Sequence, residues 1–430
     1  MFDSILAWRL RTPFYYGWLV LAITAAATFA ATGASQVVLG GIQVYITDDT
    51  GWSSNTISFA ASVGTWCSGL LAPFIGRLAD RYGPRWLAPF GLVSIGACFF
   101  VISGFESVWQ FYAGYIVARA LTNEILIGLV PRTSAVNFFR QRRNMALAMV
   151  STFRPIASAI NIQLFSLIAV HQGWRAAYRY LGILSLVLVV PVAVFMRRRP
   201  EDIGLLPDGA APEEIDTGSR GSIPEPEASW TAGEAIRTRT FWLIVVTASL
   251  GTMATSSIGF SLVPYLVQDA GLSNGAAAGV LSLGTFLSIA NLGWGYLADV
   301  FTPRRCLILT LAGSAGMIAY LITVGSLAGA LGFAVAWGMF SGAVGSLEYM
   351  MLAQYYGRAS YGAILGVSAP FQTVALGLGP ALASTVRAAA GDYTALYIAM
   401  IAAYSCAVVL MILARPPVRP VRADDLASVV

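Results

Sequence analysis

Arg119, Glu124 and Arg154 stand inside long apolar stretches of a chain in which only 11% of residues are charged. An ionised group in hydrocarbon costs about 2.5 to 3.5 kcal/mol on insertion scales, so it faces a cavity or a partner. A guanidinium is permanently charged and can grip a carboxylate through two parallel N–H bonds. Arg154, with Arg119 helping, is therefore a candidate anion site, and an ion pair between Arg154 and Glu124 is the alternative. Glu124 is read as a proton-coupling group or as the partner of one arginine; at five residues' spacing it does not lie squarely over Arg119 on a helix. Tyr115, Asn161 and Gln372 are candidate substrate contacts that packing explains as well, and the same holds for Trp337 and Tyr349 as cavity aromatics.

A second chemistry sits in a turn. The stretch Gly69 to Arg85 ends one apolar run and begins another, and it packs Arg77, Asp80, Arg81 and Arg85 between them. A fixed Asp and several Arg beside helix ends can make charge-assisted hydrogen bonds that hold two helices together in one conformation and release them in another. The design returns at Asn291 to Arg305, with Leu297-Ala298-Asp299 matching Leu78-Ala79-Asp80 and with Arg304 following. Asp80, Arg77, Arg81, Asp299 and Arg304 are thus gating candidates. Glu348, read as close to one end of its span and within reach of water or Arg358, is another.

Apolar runs must position these groups. Hydrophobic residues make up 57% of the chain, far from soluble-domain averages, in which about 25% of residues are charged. A helix needs about 20 apolar residues to cross the hydrocarbon core. Runs of that length are expected near 16–38, 55–78, 86–104, 108–130, 144–168 and 176–196, and again near 240–267, 275–298, 305–325, 328–352, 361–386 and 393–414. The fold expected is an all-α integral membrane protein with 12 transmembrane helices in two pseudo-symmetric six-helix bundles. Its expected units are 1–196, a solvated polar linker 197–239 and 240–430. All 26 basic residues are arginine, and the +5 net charge reflects orientation in a membrane rather than nucleic acid. With both termini in the cytoplasm, only Arg175, Arg179 and Arg387 lie near the outer face and only Arg119 and Arg154 inside spans, as the positive-inside rule requires.

The Gly-x-Leu-Ala-Asp-Arg-x-Gly-Pro-Arg pattern at 76–85, echoed at 295–305, closely resembles the loop signature of the major facilitator superfamily. Pro13-Phe14-Tyr15-Tyr16-Gly17-Trp18, Gly51-Trp52-Ser53, Asn137 to Arg143, Arg199 to Asp208 and Tyr355-Tyr356-Gly357-Arg358 resemble its monocarboxylate transporter and oxalate/formate antiporter branch. Two departures stand out. Oxalate-type exchangers are similar in having an arginine after an Asn-x-x-Gly in the eighth span and a lysine in the eleventh. Here Trp294 follows Asn291-Leu292-Gly293, and there is no lysine. In the repeat, Phe153-Arg154-Pro155 aligns with Leu378-Gly379-Pro380, so an arginine stands where the other half and the family pattern have a glycine. The same substitution breaks the glycine-rich fifth-span stretch of drug/proton antiporters.

The resemblance implies a secondary transporter of a small, monocarboxylate-like organic anion in the cytoplasmic membrane, working by alternating access and open to proton coupling. A drug or metabolite efflux antiporter is the alternative within transport, and a transporter-like membrane receptor the alternative of another class. The expected partners are a carboxylate substrate, protons and the lipid bilayer, for a monomer without nucleic acid. No cofactor or metal is implied: Cys67, Cys98, Cys306 and Cys406 are scattered singly and His171 is the one histidine. Enzymatic chemistry would need a convergent nucleophile, acid–base pair or metal cluster, and the sequence offers none.

Overall fold

The computed structural model describes residues 13–52, 54–209 and 230–417. The chain ends and 210–229, the middle of the expected linker, lie outside the described residues. Among those described there is no strand, and twelve helical rods follow one another. Rod α1 runs Tyr16–Ala31, passes through a 3-10 turn at Thr32–Ala34 and continues as Gln36–Thr50. Then come α2 (Ser54–Tyr82), α3 (Pro84–Ser103), α4 (Val108–Phe138), α5 (Arg143–Gln172) and α6 (Trp174–Phe195). The second set is α7 (Arg239–Gln268), α8 (Asn274–Leu287 with Asn291–Val300), α9 (Pro303–Leu321), α10 (Leu327–Tyr356), α11 (Tyr361–Ala390) and α12 (Thr394–Leu413). Eleven stretches within these rods are long and apolar enough to span hydrocarbon; α9 falls short because Arg304 and Arg305 occupy its first turn.

The two sets pack alike. In the first, α3 lies on α6, α2 on α4, and α1 on α5 and α6; in the second, α9 lies on α12, α8 on α10, and α7 on α11 and α12. Across the halves, α2 packs on α11 and α5 on α8, again equivalent pairs. The turns α2–α3, α4–α5, α8–α9 and α10–α11 share one side with the chain from α6 to α7, here termed the linker side.

Glycine makes the cross-half approach possible. A Cβ at Gly76 would stand 2.2 Å from the Gly362 carbonyl oxygen, and one at Gly295 would stand 2.5 Å from Ala148 Cβ. Both contacts belong to the linker-side portions of their helices. The expected linker departs from a solvated stretch at both ends. The Asp208 carboxylate accepts hydrogen bonds from the Arg140 and Gln141 N–H groups at 2.8 and 2.6 Å. Trp230, 2% exposed, sits edge-on against Tyr356 ahead of a short helix, Ala232–Arg237. A carboxylate at one end and an indole at the other find partners that periodicity in the linker alone does not announce.

Candidate functional site

Between the halves lies a cavity of about 280 Å³, walled by α2, α4 and α5 on one side and α7, α10 and α11 on the other. Its shape starts from α4, which winds as a π-helix over Asn123–Gly128. The wider turn resets the helix register, and such segments recur at functional sites. As a result Arg119, Asn123, Glu124, Gly128 and Arg132 all line the cavity. Gly128 suits the distortion, because a Cβ there would press on the Asn123 carbonyl at 2.8 Å and on Glu124 Oε2 at 3.0 Å.

Three guanidinium groups face this space. Arg119 is 3% exposed; its Nε donates to Thr65 Oγ1 at 3.4 Å and its Nη1 has no partner. Arg132 lies 3.8 Å over the Tyr349 ring of the opposite half, and its buried Nε is unpartnered. Arg154 projects from α5 into the cavity, exposed. Among the described residues none of the three makes an ion pair. The carboxylate among them, Glu124, is occupied by neutral donors: Ser68 Oγ and Asn123 Nδ2, each at 2.9 Å from Oε1. The alternative ion pair between Arg154 and Glu124 is therefore absent from this conformation.

Arg132 is the residue that sequence reading missed, having counted it with the loop after a span ending near 130. The helix instead continues to Phe138. A signal was there: Thr133 to Phe139 after Arg132 carries no charge, so the run allowed a longer helix.

The other expected contacts divide. Gln372 lines the cavity, together with Tyr349 and Thr252. Asn161 does not: it is fully buried, and its Nδ2 donates to the Phe29 carbonyl and to Thr32 Oγ1, each at 2.7 Å, bracing the break in α1. Tyr115 is also fully buried, with its hydroxyl on the Ala34 carbonyl at 2.9 Å. Both stabilise α1 rather than reach the cavity. Glu348 departs from its expected place as well. Helix α10 continues two turns past it, leaving it 1% exposed, where Oε1 accepts from Gln372 Nε2 at 2.9 Å and Oε2 has no partner. Arg358, its expected partner, pairs with Glu201 and donates to the Asn137 carbonyl.

The linker side holds the gating candidates. Asp80 accepts from the Gly362 and Ala363 N–H groups, at 3.0 and 2.7 Å, in the first turn of α11. A carboxylate there satisfies two orphan donors and meets the positive end of the helix dipole. Asp299 faces the first turn of α5 in the same manner, bonded by Asn144 and Met145. Arg77 and Arg81 are exposed and do not join Asp80; Arg81 stacks on Tyr82 instead. Arg198 takes the place expected of them, donating to the Asp80 carbonyl at 2.6 Å. Arg304 stays within its own half, on the Met411 and Ile412 carbonyls that end α12. Arg143 adds a cross-half bond to the Ala353 carbonyl at 3.1 Å.

Residues 24–293 match the family model described as Major Facilitator Superfamily. The oxalate:formate antiporter of Oxalobacter formigenes is 23% identical over 65% of this chain and 63% of its own. The gentisate transporter of Corynebacterium glutamicum is 27% identical over 67% of this chain and likewise 63% of its own. The chain thus spans less than two thirds of the length of either relative. Among solved structures, the outward conformation of FucP, the E. coli fucose:proton symporter, superposes with a TM-score of 0.72 over 94% of this chain and 100% of that one, at 12% identity, which speaks for the fold. Two sets of six rods, equivalent joints at Asp80 and Asp299 and a family match over more than half of the sequence agree: the chain is a multi-pass membrane protein that belongs to the major facilitator superfamily.

Proposed function

We propose that this transporter moves a small organic anion with a carboxylate group across the cytoplasmic membrane by alternating access, with Arg154 as its principal contact and Arg119 and Arg132 flanking it. The observation that carries the reading is the trio of guanidinium groups in the cavity between the halves, none of them ion-paired. Arg119 and Arg154 each cost about 2.5 to 3.5 kcal/mol to hold within the hydrocarbon, and a bound anion offsets that cost. Gln372 supplies a neutral hydrogen bond from the opposite wall. The names of two relatives, an oxalate:formate antiporter and a gentisate transporter, are in keeping with it.

The contacts support alternating access. With both termini in the cytoplasm, the linker side is cytoplasmic, and the joints at Asp80 and Asp299 close it. Breaking these bonds and rocking the bundles about the cavity would open it. Glu124, held by Ser68 and Asn123, is the proton-coupling group in this reading.

The test is uptake of a carboxylate panel into proteoliposomes at two pH values, with Arg154→Gly and Arg154→Lys beside the wild type. Losing one partner of a buried charge pair costs about 2 to 5 kcal/mol, so Arg154→Gly should lower affinity by about thirtyfold or more. Arg154→Lys keeps the charge but not the planar fork, and should fall between. Glu124→Gln should leave binding in place and flatten the pH dependence. Unchanged affinity in folded Arg154→Gly overturns the reading.

A further inference from the structure

A second cavity, of about 200 Å³, lies among α7, α8 and α10 of the second half, and it is apolar. Phe333 and Trp337 form one wall, stacked with ring centroids 5.7 Å apart and planes at 17°. Leu262, Val280 and Leu281 line the rest. The hydroxyls on its border are turned to other partners: Thr255 Oγ1 to the Tyr404 hydroxyl, Ser341 Oγ to the Trp337 carbonyl and Thr285 Oγ1 to the Leu281 carbonyl. An apolar cavity of about 150 Å³ is enough to take a benzene ring.

The register of two helices ties this cavity to the arginines. On α7, Thr252 lines the arginine cavity while Thr255 and Gly259 line the apolar one; on α10, Gly345 lines the first while Gly342, Ser341 and Trp337 line the second. Because α7 and α10 run antiparallel, rising numbers on α7 and falling numbers on α10 lead the same way, away from the linker side. The cavities are therefore consecutive, their lining residues three positions apart on each helix, a rise of about 4.5 Å along the unbroken α7. At that junction α10 is interrupted, between Ser341 and Val344. Interrupted helices line binding sites in transporters of several folds.

We propose that the transported anion is amphipathic: its carboxylate sits among Arg154, Arg119 and Arg132, and an aromatic ring attached to it enters the cavity of Phe333 and Trp337. This rests on the anion reading above and names the class of anion. The first half of the protein recognises charge and the second recognises the ring. Short acids such as acetate fill only the arginine cavity and forgo the apolar burial, whereas benzoate or phenylacetate uses both.

Gly259 gives a direct test. A Cβ there meets nothing within 4 Å, so a larger side chain enters the cavity without displacing a helix, and leucine is a better helix former than glycine. Binding of acetate and benzoate to the purified full-length protein is measured by titration calorimetry for the wild type, Gly259→Ala, Gly259→Leu and Arg154→Gly. Burial of one ring predicts a wild-type preference for benzoate of about tenfold or more. Gly259→Leu should bring benzoate down to about the level of acetate, Gly259→Ala should fall between, and Arg154→Gly should lose both acids. If the wild type binds the two acids alike, or if Gly259→Leu keeps the benzoate preference, this inference is overturned and the anion reading stands. Wild-type protein that binds neither acid overturns both.

Discussion

The two halves are built from the same rods in the same pairs, yet they differ at mid-depth. At Gly379 on α11 a Cβ would stand 2.7 Å from the Ser257 backbone nitrogen on α7, so the two backbones touch and no side chain fits. At the equivalent point on α5 stands Arg154, exposed to the cavity. The difference lies in the neighbouring rod. Helix α7 is continuous from Arg239 to Gln268, whereas α1 breaks at Thr32–Ala34, with Asn161 of α5 bonded to the break. Where the neighbour is unbroken, the position must be glycine. Where it breaks, the position is released from packing and can carry a charge. A repeated fold can thus assign charge to one wall and apolar surface to the other.

Exchanging the two positions gives the largest expected effect. Gly379→Arg drives a side chain into the backbone of α7, and overpacking of this kind typically costs about 1 to 3 kcal/mol or more; loss of monodisperse, folded protein in size-exclusion chromatography is the expected result. Arg154→Gly should elute and melt as the wild type does. Folded Gly379→Arg with an unchanged melting temperature would mean that the halves are not distinguished by backbone contact.

The linker-side joints come next. Gly76→Ala places a methyl group 2.2 Å from a carbonyl oxygen, whereas at Gly295 the nearest atom is the Cβ of Ala148, at 2.5 Å. Both substitutions should part the bundles on the linker side, Gly76→Ala more so because it meets two atoms of the Gly362 carbonyl, at 2.2 and 2.8 Å, where Gly295→Ala meets one atom at 2.5 Å and the next at 3.2 Å. Double electron–electron resonance between spin labels on the α2–α3 and α10–α11 turns should show the distance lengthen. A distribution like that of the wild type in Gly76→Ala sinks the close-approach argument.

Asp80→Asn is milder. It keeps an acceptor but gives up the charge facing the start of α11, an interaction worth about 0.3 to 1 kcal/mol and up to about 2 when partly buried. Turnover should fall by about threefold to tenfold with binding affinity nearly unchanged. Asp299→Asn should do less, since Asp299 is exposed and Asp80 is half-buried. Equal losses of affinity and turnover in Asp80→Asn would place Asp80 in the substrate site instead of a gate.

The rods and joints were legible because each rests on a local signal, either a long apolar run or a turn that repeats. The residues that escaped depend on register. Arg132 reaches the cavity because α4 outlasts the hydrocarbon length and widens into a π turn, and no periodicity in Asn123–Gly128 announces that. Glu348 was assigned to a gate by its distance from the expected end of a span, and the helix simply continues to Tyr356. Arg77 and Arg81 carried the motif's charge but point away from Asp80, while Arg198, from the far end of the half, donates to its carbonyl. The apolar cavity depends on how α7 and α10 face one another, which neither run records alone.

The smallest effect is expected where the halves are most nearly alike, at their far side. Asp49 ends α1 and Asp269 follows α7; Asp49 pairs with Arg175 and Asp269 with Arg387. Asp49 lies fifteen residues beyond Ala34, where the first span ends, so it is outside the hydrocarbon. Its carboxyl also accepts from the Trp174 indole N–H at 3.0 Å; that bond first, and Arg175 after it, hold it below the ordinary value of 3.8 in spite of partial desolvation. A carboxyl with a lowered folded value stabilises the fold at pH above the unfolded value, and that contribution is lost as the pH falls through the folded one. Asp49 is half-exposed, with 47% of its side chain accessible, and exposed pairs contribute about 0 to 1 kcal/mol. Asp49→Asn should therefore lower the melting temperature only slightly at neutral pH, and wild type and variant should converge as the pH drops below the ordinary carboxylate range. Scanning fluorimetry across that range decides it: a gap that persists in acid would assign the contribution of Asp49 to neutral hydrogen bonding, which asparagine supplies poorly, rather than to charge.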